Sequence, residues 1–165
     1  MLRKRHLGSG LAFAGLAILG SASPAAAHYR LEPTNTAFTA TGTIQLWSLN
    51  GPRVTCTLSI GGAVDAKGVA SIASASVMGA GDGCSGVAPL GLPWTMRVGG
   101  ERSFQISGMS FDVPYFQYNP VCGPASVKAF DETTWWPFKR TDMGPCILTT
   151  GGLSPTPTIA IVAVP

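Results

Sequence analysis

Charge is scarce in this chain. Of 165 residues, 11 are Lys or Arg and 8 are Asp or Glu, 12% in all, about half the usual share for a soluble domain. Hydrophobic residues make up 45%, and so apolar and weakly charged a composition excludes a disordered acidic tail and a coiled coil. The length excludes a multi-domain enzyme and points to one domain. Helical periodicity is missing too: beyond the N-terminal segment no window carries an apolar stripe at 3.6-residue spacing. Histidine is the rarest chemical resource, with two, His6 and His28.

The N-terminus supplies the first positive signal. Arg3, Lys4 and Arg5 precede an apolar run from Leu7 to Leu19, followed by Ser21, Ser23, Pro24 and Ala25-Ala26-Ala27. A basic start, a short apolar core and a small-x-small end read as a secretory signal peptide over residues 1–27. The run is too short for a transmembrane helix. Cleavage after Ala27 leaves residues 28–165 as a single β domain. It also removes three basic residues and no acid, so the mature chain is expected to carry no net charge. A neutral domain has no electrostatic footprint for nucleic acid and no polybasic stretch for a membrane surface.

Few histidines also narrow the chemistry. A nucleophilic triad needs a base, usually His, and after cleavage His28 alone remains. A terminal His28 resembles the start of copper oxygenases that attack polysaccharides, but the second histidine such a site requires is His6, which leaves with the signal. No Gly-x-Ser-x-Gly elbow appears. Asp131-Glu132 are adjacent and read as solvated loop charges rather than a hydrolytic pair. Gly79 to Gly83 lacks both the Lys-Ser/Thr ending of a phosphate loop and the acids of a calcium loop. No catalytic residue, metal or cofactor is expected.

Four cysteines, Cys56, Cys84, Cys122 and Cys146, all lie in the mature part. An even number in an exported chain implies disulfides. Zinc is disfavoured because no two cysteines lie two to four residues apart. Three pairings are open; Cys56–Cys84 and Cys122–Cys146 close two local loops and are favoured. Each would restrain the unfolded chain by about 3–4 kcal/mol.

The remaining signals are β. Arg53 to Ile60 alternates strictly, with Val54, Cys56, Leu58 and Ile60 on one face. Ala37–Thr41 and Thr43–Trp47 flank Gly42, which suggests a bulge or bend. Asn50-Gly51-Pro52 reads as a turn. Val69–Val77 is a strand of small residues, and Ser103–Ser107 continues past Gly108 to Val113. Cys146–Thr150 is a short strand. The Pro-rich patch Leu153–Pro157 precedes a last strand, Thr158–Val164, apolar enough to be central or closing. Turn signals recur every eight to twelve residues or so. The expected fold is all-β, an antiparallel sandwich or barrel, with Phe38, Ile44, Leu46, Val54, Leu58, Ile60, Ile72, Trp94, Phe104, Ile106, Phe111, Ile159 and Ile161 in its core.

Aromatics are the last feature. Tyr115, Phe116 and Tyr118 follow Pro114; Trp135 and Trp136 precede Pro137. Neighbours on a strand face opposite ways, so at least one tryptophan should look outward. The two clusters either cap the fold as core or form a surface for apolar ligands or sugars. Prolines stiffen both clusters, and Cys122 and Cys146 bracket the Trp pair, so their disulfide is expected to hold that loop.

Three stretches together resemble a known family: Phe38-Thr39-Ala40-Thr41-Gly42; the Cys56 strand followed by Ala70–Ser76; and Cys84 followed by Gly91-Leu92-Pro93-Trp94-Thr95. Cys122-Gly123-Pro124 is a further echo. The chain is similar to PraB-type secreted activators of alkane oxidation. That resemblance implies an exported, β-rich, non-catalytic protein linked to growth on hydrocarbons, and it carries over no site residues. The expected partners are apolar small molecules or cell-surface components. An extracellular fibre or adhesin subunit and a carbohydrate-binding module are the competing readings.

Overall fold

A computed structural model describes residues 28–48, 51–79, 83–116 and 120–164. The expected signal peptide, residues 1–27, lies outside them, as does Tyr118. The described residues form twelve strands and no helix: β1 (His28–Glu32), β2 (Thr36–Ser48), β3 (Arg53–Val64), β4 (Ala70–Met78), β5 (Ala88–Leu90), β6 (Trp94–Gly100), β7 (Ser103–Asp112), β8 (Val121–Phe130), β9 (Trp136–Pro137), β10 (Thr141–Met143), β11 (Cys146–Thr156) and β12 (Ala160–Val164).

Every pairing is antiparallel. The main sheet runs β10-β11-β2-β3-β4-β6-β7, with β8 on the far edge of β7. β5 and β6 share the other edge of β7, β5 beside Ser110–Asp112 and β6 beside Ser103–Ser107. The two ends of this path approach each other around residues 136–139. Trp136 and Pro137 pair with β11, Phe138 bridges Ala129 of β8, and Lys139 N–H donates to the Lys128 carbonyl at 2.8 Å. The Cys122–Cys146 disulfide joins β8 to β11.

Alternation builds the core. Phe38, Ala40, Ile44 and Leu46 of β2 and Val54, Cys56, Leu58 and Ile60 of β3 are buried, as their period of two requires. Trp94, Met96, Phe104, Ile106, Phe111 and Leu148 join them at 0–1% exposure. Each such side chain contributes about 1.5–3 kcal/mol through burial. Trp94 satisfies its Nε1–H on the Leu90 carbonyl at 2.8 Å and meets Phe111 edge-on at 5.6 Å.

Four expectations change. The ladder is continuous through Gly42, with no bulge; a Cβ there would collide with the Gly152 carbonyl, so the glycine is needed for a close approach of strands. The register shifts fall elsewhere, at Gly61/Gly62 in β3, Leu148/Thr150 in β11, Val98/Gly100 in β6, and Ser107/Met109 and Met109/Phe111 in β7. The Pro-rich patch is part of a strand, with Pro155 opposite Ala40. And the apolar last strand does not enter the main sheet. β12 pairs with β1 in a separate two-stranded ribbon, so Ile161 is only partly buried and Ile159, just before the strand, takes the core position.

That ribbon lies at one end of the main sheet. Leu31 N–H donates to Gly68 O at 3.2 Å in the β3–β4 turn, and Ile161 N–H donates to Asp131 in the β8–β9 loop at 2.8 Å. Both N–H groups point away from the ribbon partner because Leu31 and Ile161 face each other as a non-hydrogen-bonded pair. Leu31 and Ile159 are buried in the main core, each at 1% exposure.

Candidate functional site

The expected aromatic site divides between the two ends of β7. Trp136 lies near its start: the indole meets Phe104 at 5.0 Å and Phe38 at 6.0 Å, both edge-on. Tyr115 and Phe116 follow its end. From Phe104 to Asp112 is eight residues of strand, about 26 Å, so the structure does not bring the two clusters onto one surface.

Within each cluster the neighbours face opposite ways. Trp136 is fully buried, and its Nε1 has no hydrogen-bond partner. It is a core residue and not a surface contact. Trp135 is half-buried and turns outward, its indole lying against Gly152 of β11, where a Cβ would collide with the ring. Phe116 is buried at 2% exposure, with its ring against Gly51, so it too is core; Tyr115 is 38% exposed and donates its hydroxyl to the Ser85 carbonyl.

Both favoured disulfides are present, Cys56–Cys84 and Cys122–Cys146. The second does not hold the Trp loop. Cys122 stands opposite Phe111 and Cys146 opposite Ser48, which places the bridge at the Phe116 end. Cys56–Cys84 lies at this end as well, with Gly79 against Cys84. One end of the molecule is therefore doubly stapled, and the Tyr115 segment belongs to it.

Sequence reasoning missed several exposed apolar side chains. Met78 is 58% exposed and Val121 45%, both at the stapled end, and Phe130 is 38% exposed at the other. Val121 and Phe130 occupy outward positions of β8, out of phase with buried Cys122 and Ala129. The period-two signal was there, but small residues and Gly123-Pro124 obscured the strand. Lys128 lies over the Phe130 ring at 5.3 Å. Beside it, Gly99, Ser103, Phe104, Gln105 and Lys128 line a shallow cavity of about 190 Å³.

The acids do structural work. Asp131 takes the N–H groups of Thr133 and Ile161, so it is a loop organiser rather than a simply solvated charge. Asp65 accepts from Val69 N–H at 2.9 Å and Lys67 N–H at 2.8 Å. The Val69 bond, first among the causes, lowers its pKa below the ordinary value of 3.8. His28 is exposed at the start of β1. Among the described residues, no three of His, Cys, Asp and Glu gather as a metal would require.

A different order governs the outer face of β11, β2, β3 and β4. Its rows run across the strands: Thr150, Gln45 and Thr55; then Gly152, Thr43, Thr57 and the exposed Met78; then Ser154, Thr41, Ser59 and Ser76; then Thr156, Thr39, Gly61 and Ser74. These are the outward phases of strands whose inward phases are the core.

No curated protein and no solved structure matches the chain. A family model does, described as alkane oxidation protein activator PraA/PraB-like, and it matches residues 2–163. Spanning nearly the whole sequence, that match agrees with the resemblance carried by the Phe38, Cys56 and Cys84 stretches: the chain belongs to the PraA/PraB-like family of alkane oxidation protein activators.

Proposed function

We propose that the protein is an exported, non-catalytic accessory of alkane oxidation that touches apolar material through its stapled end. The observation that carries the accessory role is the family match over residues 2–163. Two disulfides with no free cysteine among the described residues suit an oxidising, non-cytoplasmic compartment.

The contact we favour is built around exposed Tyr115, with buried Phe116 next to it in the chain and Tyr118 close by in sequence. Cleaved after Ala27 the chain carries no net charge to steer a partner over long range, so affinity must come from apolar area. One buried aromatic is worth about 2–3 kcal/mol, and a few suffice only when they are rigid beforehand. The Tyr115–Ser85 hydrogen bond and the two bridges provide that rigidity. Exposed Met78 and Val121 extend the apolar area at the same end.

The test has two arms. Deleting the gene should slow growth on an alkane and leave growth on a sugar unchanged. The purified chain should coat hexadecane droplets, and Tyr115→Ala should weaken that coating with folding intact. Equal growth on both carbon sources would refute the accessory role; unchanged coating by the variant would move the contact elsewhere.

A further inference from the structure

The hydroxyl-bearing outer face shares only Met78, at its β4 edge, with the contact proposed above, and the chemistry of its remaining side chains points to a different ligand. Four consecutive rows, about 20 Å along the strands and about 14 Å across them, contain no charged residue. The first charge is Arg53 at the margin, and it lies over the Trp47 ring at 5.3 Å. Thr39, Thr41, Thr43, Ser74 and Ser76 are all exposed.

Hydroxyls both donate and accept, and these use only part of that capacity on one another: Thr41 Oγ1 and Ser59 Oγ are 3.0 Å apart. Where β3 bulges at Gly61/Gly62 and Gly61 carries no side chain, the surface dips into a groove of about 170 Å³ flanked by Thr39, Ser59 and Ser74. At the β11 margin stands Trp135. Gly152 shares a row with Thr43 and Thr57, and because it has no Cβ the indole can settle on it, half-exposed, beside the hydroxyls. The buried Trp136 next to it anchors the backbone from the other side.

This combination selects its occupant. An anionic polymer finds no countercharge on the face. An apolar ligand would strip water from hydroxyls without replacing their hydrogen bonds, at a cost. A sugar ring meets both demands, since its apolar face stacks on an indole while its hydroxyls pair with Thr and Ser. We propose that the outer face of β11-β2-β3-β4 binds a neutral polysaccharide, with Trp135 as stacking platform and Thr41, Thr43 and Ser59 as the hydrogen-bonding lattice. The site does not use Tyr115 and does not rest on the apolar reading.

The experiment is retention of the purified chain on microcrystalline cellulose and on chitin, with alginate as the anionic control. Retention on at least one neutral polymer is expected. Trp135→Ala and, separately, Thr41→Ala with Ser59→Ala should each weaken it about tenfold, the loss of one good contact, while Trp135→Phe keeps most of it. The hydroxyl pair is exposed or half-buried, so its variant reads the same face should Trp135→Ala disturb packing. Retention on neither polymer, equal retention of all variants, or equal retention on alginate would overturn the proposal. Hexadecane coating measured alongside separates the two sites: droplets coated but both polymers ignored sinks this inference alone, and the reverse sinks only the apolar reading.

Discussion

The carboxylate of Asp131 accepts the backbone N–H of Ile161, thirty residues away, at 2.8 Å, while its other oxygen accepts Thr133 N–H at 3.1 Å. One side chain thus orders the β8–β9 loop and fastens the terminal ribbon to it. It also occupies an outward N–H of β12, whose apolar sequence would otherwise offer an open edge to other chains. Asp131→Ala should cost about 1–2 kcal/mol. Hydrogen exchange should accelerate in β1 and β12 first; uniform acceleration across the main sheet would refute the local role.

The Cys122–Cys146 bridge ties β8 to β11 across 24 residues of sequence. Replacing both cysteines by serine should cost about 3 kcal/mol, read as a lower urea midpoint. The location of the damage is the sharper test. Limited proteolysis should cut first near Tyr115, because the bridge lies at that end, and the Trp135 loop should stay resistant.

Two glycines separate steric need from backbone need. At Gly42 a Cβ would strike the Gly152 carbonyl, which the ladder holds in place. Gly144 has φ +69 but nothing within 4 Å of an added Cβ. Gly42→Ala should destabilise by about 3 kcal/mol or more, and Gly144→Ala by about 1–2 kcal/mol from the left-handed conformation alone. Thermal unfolding that ranks the two in the opposite order would contradict the packing described for β2 and β11.

Trp136 fills the space between Phe38 and Phe104. Trp136→Ala should cost about 3–5 kcal/mol. Trp136→Phe should cost much less, since it keeps an aromatic contact and removes an indole N–H that has no partner. Equal losses in the two variants, by denaturant unfolding, would mean that the N–H carries more than the ring.

Asp65 sets an acid-side prediction. Its folded pKa is lowered, chiefly by the Val69 N–H bond. A lowered folded pKa means a stability contribution that is fully present above the ordinary carboxylate value and lost as pH falls through the folded one. Asp65→Ala should therefore be less stable than the parent at pH 7, and the gap should shrink as pH drops below about 4. The turn is exposed, so the gap is small; a gap that widens in acid would reverse the sign.

The sequence alone determined the β character, because strict alternation in Arg53–Ile60 has one physical reading: a strand with one wet and one dry face. It favoured the disulfide pairs that the structure contains, since short loops close most readily, and it required Trp135 and Trp136 to face opposite ways, since neighbours in extended backbone diverge. The family was legible in three short stretches. Tertiary structure decided the rest. Pro155 in β11 and the β1–β12 ribbon depend on partners more than a hundred residues away, which no local pattern records. Whether an aromatic is core or surface depended on what another strand places over it: Phe104 and Phe38 enclose Trp136, while a glycine lets Trp135 lie outside. The hydroxyl rows had the same cause. Each strand carries its own Thr or Ser alternation, but only the register of four strands aligns them into one uncharged face.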